Sequence, residues 1–115
     1  MNLIEKAQQA MLPIYEEYLV GHPFLKALFE DKNLKKYQYA GFLVQIYHLI
    51  KHTPHFLAQA AVHCSEDAWL RNWYLDFAID ERGHDQLCLS DLRKMGFDAN
   101  AMVDTLARPG ATVVV

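Results

Sequence analysis

The chain has 115 residues, 52% of them hydrophobic and 22% charged, with a formal net charge of −3. That balance suits one soluble globular domain and not a disordered chain. The mild acidity and the lack of any basic run set nucleic acid aside as a partner, and no apolar stretch has the length of a membrane span.

The opening residues, MNLIEKAQQA, lack the basic, apolar and cleavage regions of a secretory leader, so a cytoplasmic location is expected. Helical patterning then begins at about Leu3 and continues to Val20, with Pro13 inside it. Proline removes a helix hydrogen bond and crowds the preceding turn, which predicts a kink or two short helices. Gly21-His22-Pro23 breaks the pattern, with His22 reading as a cap or turn residue, and a short helix follows from Pro23 to about Glu30.

Asn33 is placed to cap a long helix over Leu34 to Cys64, weakened by Gly41 and Pro54, with a length of about 45 Å. His48, His52 and His55 share one stripe of it with Gln45 and Gln59, opposite Leu43, Ile46, Ile50, Leu57 and Ala61. That stripe reads either as the wet face or, because the helix carries so few charges, as the lining of an internal cavity. Ser65 is placed to cap the next long helix, with Glu66 and Asp67 suiting the positive end of its dipole, and that helix runs to about Lys94. Arg93 and Lys94 suit its negative end, and Gly96 can close it in the left-handed conformation. Asp98 caps a last short helix over Ala99 to Leu106, ended by Arg108-Pro109-Gly110 before the terminal ATVVV, whose valines need a covering surface. Cys64 and Cys88 make neither a framework nor a CxxC motif and are expected to be reduced and buried.

Taken at a helical period with His84 as origin, Leu70, Trp73, Phe77, Cys88 and Met95 fall within about 40° of it. Arg71, Asn72, Arg82, Gln86, Ser90 and Arg93 fall opposite. The stripe bearing His84 is therefore the expected buried side, and Glu81, Asp80 and Asp91 lie within about 60° of its centre. Ionisable groups on an apolar face call for pairing or for a metal. Glu-x-x-His on a bundle helix is the spacing of carboxylate-bridged di-iron and di-manganese sites. Carboxylate oxygen and imidazole nitrogen together suit iron or manganese. Glu81 and His84 are thus candidate metal ligands, with His48, His52 and Asp91 as further candidates. The alternative is a buried ion pair of Glu81 or Asp91 with a neighbouring cation. Trp73, Phe77 and His55 are candidates for the wall of a substrate pocket.

The run from Tyr37 to Gly96 resembles the haem-oxygenase-like superfamily. YQYAGFLVQIYHLIKHTPHFLAQAA is similar to its long second helix. DAWLRNWYLDFAIDERGHDQLCLSDLRKMGFD is similar to the next helix, with its E-x-x-H and D-L-x-x-M-G pattern. The nearest group is the iron-containing redox enzymes, the haem-oxygenase-like di-iron oxidases and oxygenases. The resemblance implies an all-α bundle with two long helices and shorter N- and C-terminal ones, about half of the family's seven-helix fold. It also implies non-haem iron held by Glu81 and His84, and dioxygen activation on a small organic substrate. Family members are roughly twice as long, and their remaining ligands lie in a C-terminal half that has no counterpart here. A second chain, as in a homodimer with swapped halves, would complete such a site; the alternatives are the N-terminal half of a longer bundle or a binding remnant without catalysis. Relatives in the same superfamily, the cofactorless oxidases of quinone-cofactor synthesis and the thiaminase-like enzymes, use the same cavity without iron, and the region of Arg71 and Trp73 fits them as well. A third expectation, from another class, is a non-catalytic helical module for dimerisation or ligand binding.

Overall fold

The computed structural model describes residues 1–105, and every regular element among them is helical. The terminal Arg108-Pro109-Gly110 and ATVVV lie outside the described residues. The chain divides into two compact units, Met1–Lys35 and the remainder from Lys36.

In the first unit, α1 spans Leu3–Tyr18 and is closed at its start by a reciprocal cap. The Asn2 side chain accepts from the Glu5 amide, and the Glu5 carboxylate accepts from the Asn2 amide, both at 2.9 Å. Pro13 sits inside α1, which remains one element and not two. The proline leaves the Gln9 carbonyl without its helical donor, but both positions are exposed and water can supply it. His22 is the cap expected of it: its Nδ1 accepts from the Phe24 amide at 3.1 Å and opens α2, Pro23–Leu25. A single π-helical turn, Lys26–Glu30, continues α2. The Asn33 amide donates to the Ala27 carbonyl at 3.1 Å, so Asn33 finishes this turn and does not start the next helix.

The second unit is a bent helical hairpin. The expected long helix over Leu34 to Cys64 is two helices, α3 at Lys36–Ile50 and α4 at Thr53–His63. Pro54 is the reason: it lacks the amide that an unbroken helix would need, and it sits in the first turn of α4, where no amide is required. The expected helix to Lys94 is likewise two, α5 at Ala68–Glu81 and α6 at His84–Lys94. Arg82 is extended, with ψ 124°, and Gly83 takes φ +87°, a left-handed conformation that residues with a Cβ rarely adopt. The cap of α5 is Asp67 and not Ser65, its carboxylate accepting from the Leu70 amide at 3.0 Å. Gly96, at φ +89°, closes α6. Asp98 accepts from the Ala101 amide at 3.2 Å and caps α7, Ala99–Val103.

α4 packs along α5, and α3 packs along α6 and α7. The two arms are each interrupted once, at Lys51–His52 and at Arg82–Gly83. Ala40, Leu43 and Val44 of α3, Leu89 and Leu92 of α6 and Ala99 of α7 form the core, with Tyr39, Tyr47, Met95 and Phe97 packed against it. The small Ala40 and Ala99 let the helices approach Leu92, which is fully enclosed. Burying such a leucine contributes about 1.5–3 kcal/mol.

Candidate functional site

Glu81 is the last residue of α5 and His84 the first of α6, so the pair spans a helix break and does not lie on one continuous helix face. The phase argument that buried both residues fails there, because Gly83 resets the helical phase. The His84 side chain is 46% exposed and that of Glu81 23%. The turn still brings them together, with His84 Nδ1 3.1 Å from Glu81 Oε2. A carboxylate only accepts, so the proton in that contact belongs to Nδ1, and the Nε2 lone pair faces away from Glu81.

The other predicted ligands do not assemble around this pair. Among the described residues no group of three or more His, Cys, Asp or Glu is placed to hold a metal ion. Asp91 is exposed, and the predicted stripe through His84 is not a buried face. The donor set in this chain is therefore two groups, already bonded to each other, and does not by itself fit a mononuclear or dinuclear iron centre. The aromatic pair expected in a pocket wall stands on the outer face of α5. Trp73 is 47% and Phe77 37% exposed, their ring centroids 5.3 Å apart, and Trp69 on the same face is 74% exposed.

On the other arm the histidine stripe divides at the interruption. His48, in the last turn of α3, is the one buried polar residue among those described, at 6% exposure. His52 is half-buried and precedes α4, while His55 and Gln59 are exposed. Neither a wet face nor a cavity lining describes the whole stripe, because the kink sends its halves in different directions. Lys51 Nζ lies 3.2 Å from His48 Nδ1 and 5.6 Å from the Tyr47 ring centroid. Lysine only donates, so Nδ1 accepts and the His48 proton is carried by Nε2. The two histidines are thus held in opposite tautomers by neighbours three residues away. The hydrophobic stripe of α3 pointed away from His48, and no sequence pattern distinguished that histidine from His52 or His55.

Cys88 is buried on α6 and Cys64 half-buried, both free thiols. Burial pushes the Cys88 thiol above its ordinary pKa, and the nearby carboxylates of Asp91 and Asp85 add to the rise. Its burial makes this cysteine a packing residue of α6. No helix among the described residues is long and apolar enough to cross a membrane.

A family model described as the TENA/THI-4/PQQC family matches residues 8–98, from within α1 to the cap of α7, and includes both bends of the hairpin. No curated protein and no solved structure matches the chain. The resemblance to the haem-oxygenase-like superfamily holds. The matching family is the one read beside the iron enzymes on Arg71 and Trp73.

Proposed function

This chain belongs to the TENA/THI-4/PQQC family, and from that we propose that it is a helical domain acting on a small organic molecule without a metal, as a thiaminase-like or quinone-cofactor-synthesis-like member does. The observation that carries this reading is the Glu81–His84 contact of 3.1 Å within the matched residues. A carboxylate on Nδ1 orients the imidazole and leaves the Nε2 lone pair outward, the arrangement by which a histidine moves a proton at a substrate atom. In this reading His84 takes the proton and Glu81 stabilises the imidazolium that results. Trp73 and Phe77, on the same arm, offer the apolar surface for the substrate body. The test is turnover of thiamine, and of a reduced quinone-cofactor precursor, in the presence of a chelator. His84→Ala and Glu81→Gln should each lower the rate by about 10²-fold or more. Rates equal to wild type in both variants would overturn the assignment.

A second reading keeps iron and rests on the same two side chains. A homodimer would then bring further donors to Glu81 and His84, since no third donor joins them among the described residues. Anaerobic loading with ferrous iron, followed by metal analysis of wild type and His84→Ala at several protein concentrations, separates the readings. Iron bound above background only by the dimeric wild type supports the second reading and counts against the first.

A further inference from the structure

We propose that His48 is a ligand-binding residue whose Nε2–H donates to an acceptor atom of a small organic molecule, a carbonyl or carboxylate oxygen or an aromatic ring nitrogen, at the bend of the hairpin. The proposal rests on the small-molecule reading above and adds a second contact, on the other arm.

His48 Nε2 is a buried polar atom without a hydrogen-bond partner. Its other ring nitrogen is taken by Lys51 Nζ at 3.2 Å, which places the proton on Nε2. The orphan is therefore a donor, and an unmade hydrogen bond there costs the fold the desolvation of that group. A purely structural role would be filled better by leucine, of similar volume and with nothing to satisfy. The tautomer also decides the ligand class. A nitrogen carrying a proton offers no lone pair to a metal, so His48 as held by Lys51 recognises an acceptor and not a cation. His48 lies in the last turn of α3, just before the Lys51–His52 interruption. His84, with its Nε2 lone pair, stands at the start of α6, the helix that packs along α3. A donor on one arm and an acceptor on the other suit a molecule that carries both functions.

The experiment uses the full chain labelled with ¹⁵N. Long-range nitrogen–proton correlation of the imidazoles reads the tautomer directly and should show His48 protonated on Nε2. Titration with N,N-dimethylacetamide, which has an acceptor and no donor, should shift the His48 Nε2 signal saturably, while pyrrole, a donor only, should leave it unchanged. His48→Leu should melt at or above the wild-type temperature, because it removes an unsatisfied donor. An Nδ1–H tautomer, a His48 signal that dimethylacetamide does not move, or a His48→Leu melting point lower by about 4–8 °C, equivalent to about 1 kcal/mol, would each overturn the proposal. The last result would mean that Nε2 has its partner within the fold. A His48→Leu effect that grows with protein concentration would assign the acceptor to a second copy and overturn the small-molecule form. The general small-molecule reading fails separately, if turnover is absent while the His48 signal still responds.

Discussion

At the scale of single residues, two histidines of one type are set to opposite tasks by what stands three positions away. Lys51 makes His48 a donor and Glu81 makes His84 an acceptor. Their energetic weights differ as well. The Glu81–His84 pair is partly solvated, so removing His84 should change stability by no more than about 1 kcal/mol, measured by urea unfolding. Leu92 is fully buried at the meeting of three helices. Leu92→Ala should cost about 2–5 kcal/mol in the same assay, since both transfer energy and a cavity are involved. Cys88 supplies a pH-dependent case. Its folded pKa is raised, so the folded state holds the thiol proton more tightly than the unfolded chain does. That contribution is fully present below the ordinary thiol pKa and is lost as pH rises through the raised value. Stability should therefore fall on the alkaline side, and Cys88→Ala should flatten the fall. At neutral pH iodoacetamide should modify the half-buried Cys64 well before Cys88.

At the scale of elements, the two breaks decide where the site residues go, and each traces to one residue. Pro54 was visible as a weak point in a long helix, but a proline interior to a helix and a proline opening a new one look alike in sequence. Here the tertiary fold chose the second, and His48 and His52 separated onto different segments. Gly83 carried less warning, because an isolated glycine is tolerated within helices. Its φ of +87° is what ends α5, and space for a Cβ exists around it, so a substitution there is penalised by the backbone alone. Gly83→Ala should destabilise by about 1–2 kcal/mol, with Gly83→Asn milder, since asparagine tolerates the left-handed region. If instead Gly83→Ala were stabilising, the Arg82–Gly83 turn would have to convert to continuous helix. The helix starts were legible: Asp98 is the cap its position suggests, while at Ser65-Glu66-Asp67 the start is right but the cap is Asp67 and not Ser65. Asp67→Ala should cost about 1 kcal/mol by thermal unfolding.

At the scale of the whole molecule, all buried residues among those described belong to the unit that starts at Lys36, and none to Met1–Lys35. Brief trypsin digestion of the chain should therefore cut first at Lys32 or Lys35 and leave a large helical fragment, read by mass spectrometry and circular dichroism. Loss of all helical signal on that first cut would show that the second unit depends on the first. The sequence by itself determined the all-α class, the caps, the superfamily and the interest of Glu81 and His84, because capping chemistry and apolar periodicity are local. It also brought Glu81 and His84 to notice for a sound reason, their spacing, while the buried surroundings inferred for them depended on an unbroken helix. Only the tertiary structure decided which histidine is buried, which ring nitrogen is left without a partner and which aromatic residues face outward. Burial depends on which faces of bent helices meet. A change of direction at Lys51–His52 or Arg82–Gly83 rotates every later side chain, so no phase counted along the chain carries through it.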